Sequence, residues 1–174
     1  MPSALYQFVL PPVLLKRGFW LYIWKITQPS GMPILYVGMT GDTGSYNAQS
    51  PINRVSAHLS NNPHSNALRR HAEDKKIDLE ACRRLELAAF GPISKVPKND
   101  KEAYRAERRK VAALEKALWL ALEKEGHQML NGCPRCTIEC SAARLATVRD
   151  AFAGFLKLTA DETKQRPGVK NSYY

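Results

Sequence analysis

Glu115 stands out first among the residues that could do chemistry. On a helix its surface neighbours lie three and four positions away, and these are Val111, Ala112, Leu118 and Trp119, all apolar. A carboxylate in that company loses water unless a cation or a donor meets it. Other acids nearby are placed differently: Glu102 has Arg105 beside it, and Glu107 has Lys110. Two arrangements would satisfy Glu115. One is a bound metal; the other is a place at the edge of an apolar stripe, snorkelling to water or paired with an Arg.

Tyr22 and Tyr36 stand fourteen positions apart in two aromatic-rich runs. A phenol with a pKa near 10 acts as a base only where something lowers that value. The plainer reading is a pair of core tyrosines with their hydroxyls satisfied. Arg54 and His58, four apart, share one helix face. His58 reads either as a partner of Tyr36 in a proton relay or as a surface histidine. Gly38 ends a strand where a backbone or substrate comes close, or is a simple strand-ending glycine. Asn131, in Leu130-Asn131-Gly132, could position a phosphate or orient Glu115, or could belong to an ordinary turn.

The elements that must position these residues are legible in outline. Trp20 to Ile26 and Pro33 to Thr40 read as strands, and Gln28-Pro29-Ser30-Gly31 between them makes a hairpin. Gly41 to Asn47 reads as a loop. Ser50-Pro51 starts a helix, with Ser as cap and Pro in the first turn, and Asn61-Asn62-Pro63 breaks it. A second helix is expected from about His64 to Lys75. Arg83 to Phe90 alternates as a third strand, ended by Gly91-Pro92. Asp100 caps a long helix closed by Gly126, and Ser141 starts a last one with Leu145, Val148, Phe152, Phe155 and Leu156 as its apolar stripe. The expected fold is α/β (α+β): a small, mainly antiparallel three-stranded sheet flanked by helices, with an extra C-terminal helix. One domain over residues 1–158 is expected, with a polar, frayed tail over 159–174. The first fifteen residues show no period and are expected to drape over the domain.

The chain of 174 residues carries 26 Lys+Arg against 16 Asp+Glu, a net charge of +10. A single domain this basic favours a polyanionic partner, usually nucleic acid. The basic residues come in pairs such as Arg69-Arg70 and Arg83-Arg84, each a solvated helix surface when taken alone. No apolar stretch of about 18 residues could span a membrane. The Pro-broken start, Met1 to Leu15, has no basic leader region and makes a poor signal peptide, so an intracellular, cytoplasmic protein is expected. Three of four cysteines, Cys133, Cys136 and Cys140, cluster at a spacing that could hold zinc, with His127 or Cys82 as fourth ligand. The alternative is reduced thiols packed at a helix start.

Taken in order, these residues resemble the GIY-YIG nuclease family. Tyr22 matches the tyrosine ending the family's first motif, and Tyr36-Val37-Gly38 its second, Tyr-Ile-Gly. Arg54 matches the arginine of the next helix, with His58 in the Arg-x-x-x-His spacing of some members. Glu115 matches the metal-binding glutamate, and Asn131 the asparagine that follows. The resemblance spans roughly residues 18 to 132. Trp20 stands where glycine is usual, and Met39 stands where many members carry a basic residue, which removes one possible phosphate contact. The resemblance implies a DNA endonuclease of restriction or repair type, acting on duplex or branched DNA, from a bacterial or phage source. It implies one Mg²⁺ or Mn²⁺ held by Glu115 and no small-molecule cofactor. Water would attack in line, with Tyr22 taking or relaying its proton and Arg54 neutralising charge. The ends left would be 5′-phosphate and 3′-hydroxyl. A catalytically silent nucleic-acid-binding module on the same scaffold, and a small zinc-supported interaction protein, are the alternatives.

Overall fold

The computed structural model describes residues 5, 7–41, 46–60, 66–97 and 99–157. The helix break at Asn61-Asn62-Pro63, the helix start at His64, much of the loop after Gly41 and the tail over 159–174 lie outside the described residues. The architecture is α+β. Strands β1 (Phe19–Thr27), β2 (Pro33–Met39), β3 (Arg84–Ser94) and β4 (Gln128–Met129) form one mixed sheet in the order β3-β1-β2-β4. The described helices are α1 (Pro51–Leu59), α2 (Ala67–Asp74), α3 (Lys101–Lys124) and α4 (Ala142–Leu156). No described helix is long and apolar enough to cross a membrane.

β1 is central and every one of its residues is buried, which explains its near-continuous apolar run. It pairs antiparallel with β2 on one side and β3 on the other. Alternation along the strands then sends residues to two cores. Leu21, Ile23, Leu35 and Val37 pack with Val111, Leu114, Leu118 and Leu122 of α3 and with Val148 and Phe152 of α4. Tyr22, Trp24, Ile26, Ile34 and Tyr36 pack on the other face with Leu68 and Ala72 of α2 and the inner side of α1.

Three helix starts use the expected caps. Ser50 Oγ accepts from Asn53 N–H at 3.3 Å, Asp100 Oδ1 from Ala103 N–H at 2.9 Å, and Ser141 Oγ from Arg144 N–H at 3.4 Å. Gly126 follows α3 at φ 85°, the left-handed conformation that ends a helix.

The sheet differs from the expected one in two places. It has four strands rather than three, because Gln128–Met129 pairs parallel with Ile34 and Leu35. A two-residue strand has no period to read; tertiary pairing alone defines it. β3 also continues through Gly91-Pro92 to Ser94 rather than stopping there. It lies at the sheet edge, where a proline lacking N–H does not interrupt a ladder on both sides. The indole of Trp20 lies over Gly91, where an added Cβ would stand 2.8 Å from the ring. Near the N-terminus a short 3-10 helix spans Pro12–Leu15, while Leu5, Phe8 and Val9 are exposed and cover no core.

One charged residue sits inside the central strand. Lys25 is 3% exposed, with Nζ 3.4 Å from Glu86 on β3. The same ammonium donates to the Phe155 carbonyl at 3.4 Å, near the C-terminal end of α4. A cation is favourable at that end of a helix, so Lys25 ties α4 to the sheet.

Candidate active site

The hairpin sets the two tyrosines. Tyr22 is paired with Gly38, and Tyr36 with Trp24, so both rings leave the same face of neighbouring strands. Their centroids are 6.3 Å apart and their planes differ by 14°. Gly38 gives Tyr22 its place. A Cβ at position 38 would stand 2.5 Å from both Cζ and Oη of Tyr22. What stands against Gly38 is therefore a side chain of the protein itself, the phenol of Tyr22.

α1 lays His58 against both rings. His58 is 1% exposed, with its ring centroid 5.6 Å from that of Tyr22 and 5.2 Å from that of Tyr36. Its Nε2 is 2.7 Å from the Tyr22 hydroxyl. Its Nδ1 accepts from the Leu68 N–H at 3.3 Å. A backbone N–H can only donate, so Nδ1 carries a lone pair and the ring proton sits on Nε2. His58 therefore donates to Tyr22. Burial pushes its pKa from 6.5 down to about 3, and the charges of Arg54 and His71 push the same way. It is a neutral imidazole bonded to Tyr22, in place of the expected relay with Tyr36.

Arg54, one turn before His58, hydrogen-bonds Tyr22. Its charge acts on all four other groups: it opposes ionisation of His58 and favours ionisation of Tyr22, Tyr36 and Glu115. Burial, the largest effect, still holds the Tyr22 phenol well above 10, and the nearby Tyr36 and Glu115 raise it further. Tyr36 is pushed up to about 12 by burial and then by Glu115, against the pull of Arg54.

Glu115 comes from α3, on the other face of the sheet, yet its charge reaches both tyrosines. It meets them at the end of β2, where the Met39 N–H donates to its carboxylate. Loss of water pushes its pKa from 4.5 up to about 7, despite Arg108, Arg54 and that N–H. Arg108 and Arg54 face it, as in the Arg-paired arrangement, and although the residue as a whole is half-buried its carboxyl loses enough water for the net shift to be upward.

Asn131 lies beside β2. Its Oδ1 accepts from the Val37 N–H at 3.2 Å and its Nδ2 donates to the Val37 carbonyl at 2.9 Å. Its own carbonyl accepts from Trp119 Nε1 at 3.0 Å. The amide acts as one more rung of the sheet after β4 ends, so Asn131 holds the strand that carries Tyr36 and Gly38 rather than pointing at a phosphate.

The three clustered cysteines are not brought together. Cys133 donates to the Pro134 carbonyl, Cys136 to those of Arg109 and Ile138, and Cys140 to that of Ser141. Among the described residues, no three His, Cys, Asp or Glu side chains gather where a metal could be held by all of them.

Three residues join the site that the sequence reading did not single out. Arg108 acts on Glu115, and its Nε donates to the Gly41 carbonyl at 3.1 Å. Its signal was its place seven residues before Glu115, two turns along one face, hidden in the basic run Arg108-Arg109-Lys110. Arg70 and His71 reach Tyr36 from α2; the His71 ring is 6.0 Å away. No motif spacing marks them. No family model, no curated protein and no solved structure matches this chain.

Proposed function

We propose that this protein is a divalent-metal-dependent endonuclease of the GIY-YIG type that hydrolyses DNA phosphodiester bonds. The observation that carries the reading is the convergence of one phenol, two of its donors and one desolvated carboxylate. Tyr22 receives His58 and Arg54 at its oxygen, and Glu115 acts on Tyr22 from the end of β2. The net charge of +10 supports a polyanionic substrate.

A single metal-binding carboxylate fits Mg²⁺ or Mn²⁺, ions that keep several waters and take substrate phosphate oxygens as further ligands. The state of Glu115 agrees with this: a carboxyl held near pKa 7 by loss of water gains most when a cation arrives. Once bound, the ion would act as a Lewis acid on the phosphoryl oxygens and offset the Glu115 charge that raises both tyrosine pKa values.

The protein's own residues divide the remaining work. Burial holds the Tyr22 phenol well above 10, so Tyr22 Oη would first have to release its own proton to solvent, helped by the charge of a bound cation. As phenolate it would then take the proton of the attacking water, and the departing 3′-oxygen would take a proton from solvent. Arg54 and His58 Nε2–H both donate to that oxygen, so they stabilise the phenolate. His58 cannot be the proton sink in this arrangement, because Nδ1 is held by Leu68 N–H and Nε2 already carries hydrogen. It is a positioning residue. Arg54, whose charge is shared among the four groups, also faces charge developing on the phosphoryl oxygens. Tyr36 packs against His58 and completes the wall.

The reading is tested by incubating supercoiled plasmid with the protein in Mg²⁺, Mn²⁺ or EDTA and mapping the ends. Metal-dependent nicking or linearisation that leaves 5′-phosphates is expected, and Tyr22→Phe should bind DNA but cut slowly. Binding without any cutting in either metal would favour a silent nucleic-acid-binding module instead.

A further inference from the structure

A groove of about 620 Å³ lies along α1. Six polar side chains line it: Asn53, Ser56 and Ser60 of α1, Asn47 and Gln49 from the segment entering α1, and Arg17 from the segment before β1. Asn53, Ser56 and Ser60 follow at three- and four-residue steps and share one face of the helix. Arg54 and His58 share another, turned to the tyrosines. One short helix therefore separates the groove from the candidate site.

The chemistry of the lining is unusual for this chain. The net charge is +10, yet this groove holds one cation and no acid. Charge neutralisation along a phosphate track draws on Lys and Arg, while amides and hydroxyls alone supply few of the contacts that hold a polyanion. Amides and hydroxyls instead place donors and acceptors side by side, which is what base edges require. Asn53 and Ser56 are exposed on the helix, where a partner could reach them.

We propose that this groove reads base edges of duplex DNA beside the scissile phosphate, an inference that rests on the nuclease reading above. Asn and Gln pair with adenine edges, and Arg17 suits guanine. The reach is set by α1. Asn53 and Arg54 are consecutive, and a helix with its side chains is about 10–12 Å across. Base pairs stack about 3.4 Å apart, so the bases read lie within about three pairs of a phosphate held at Arg54. Cutting should fall inside or next to the recognised sequence.

The 174-residue chain and its Asn53→Ala/Ser56→Ala double variant are each used to select bound duplexes from a random-sequence library. Cuts by the parent in Mg²⁺ are mapped on the same library. The parent should enrich particular bases within about three pairs of the cut. The double variant should lose that enrichment and bind the preferred duplex about tenfold or more weakly. Both side chains are exposed, so Tm should hold; Gln49→Ala gives an independent variant that should lose preference at a subset of positions. A parent that cuts with no base preference, or a folded double variant that keeps the parent's preference, overturns the groove while sparing the nuclease reading. A parent that selects DNA sequences through Asn53 and Ser56 yet never cuts sinks the nuclease reading and the groove's place beside a scissile phosphate, and leaves base reading by the groove standing. Selection of RNA alone, or of no nucleic acid, overturns both.

Discussion

Gly38 lies directly across the β1–β2 ladder from Tyr22, and the phenol of Tyr22 occupies the space that a side chain at position 38 would need. The glycine of the Tyr36-Val37-Gly38 motif is thus explained by its neighbour's ring. Tyr22 cannot yield easily, since it is 2% exposed and tied to His58. Gly38→Ala should lower stability by about 1–3 kcal/mol through overpacking. Displacing the phenol by about an ångström should slow cleavage by roughly 10². Urea unfolding and cleavage rates on one preparation check this; an unchanged cleavage rate would mean that Tyr22 is not where the chemistry occurs.

His58 should stay neutral throughout the ordinary pH range. Its buried ring is held as the Nε2–H tautomer by the Leu68 N–H, and its pKa is about 3. Nitrogen chemical shifts from labelled imidazole should show Nδ1 unprotonated and no titration between about pH 5 and 8, the span in which a free histidine changes charge. A His58 titrating near 6.5 would contradict the burial and the hydrogen-bond directions described here.

Asn131 should matter for the sheet rather than for the substrate. Asn131→Ala leaves both the N–H and the carbonyl of Val37 without their amide partner. Each buried unpaired group costs about 1–3 kcal/mol, so a loss of about 2–4 kcal/mol is expected in denaturant unfolding. DNA affinity measured where the variant is still folded should be unchanged. A large loss of affinity with full stability would return Asn131 to the binding surface.

These two residues also show what was legible in the sequence and what was not. The hairpin, three helix caps and the apolar stripe of α4 follow from local chemistry and periodicity, which act over a few residues. Spacing within α1 put Arg54 and His58 on one face and motif order put them with the tyrosines, but which tyrosine His58 bonds, Tyr22 rather than Tyr36, was not legible. The amide rung of Asn131 was hidden, because its partner Val37 is 94 residues away and an Asn-Gly pair reads as a turn. β4 and the continuation of β3 were hidden for the same reason: their definition is tertiary. Lys25 carries no local signal of its place either: Glu86 on a neighbouring strand and the end of α4 give it a buried one.

Glu115 makes metal-free stability depend on pH. Its folded pKa is about 7 against an ordinary 4.5, so between those values the folded state holds its proton more tightly. Stability linked to this group is present below about pH 4.5 and is lost as pH rises through about 7. Glu115→Gln removes that loss. In chelator the variant should be more stable than the parent by up to about 3 kcal/mol at pH 8, and the two should converge near pH 4.5. A constant difference across that range would mean that the Glu115 carboxyl is not desolvated.

The most direct test of the central claim is the cleavage rate of Glu115→Gln against the parent on supercoiled plasmid, at equal Mg²⁺ and at a pH above 7. The substitution keeps size and hydrogen bonding but removes the charge that would hold the cation. The variant should remain folded, bind DNA, and cut slower by roughly 10³ or more, since the lost charge stabilisation amounts to several kcal/mol. Cleavage by Glu115→Gln at the parent's rate would contradict the assignment of Glu115 to the metal, and with it the mechanism proposed for Tyr22, Arg54 and His58.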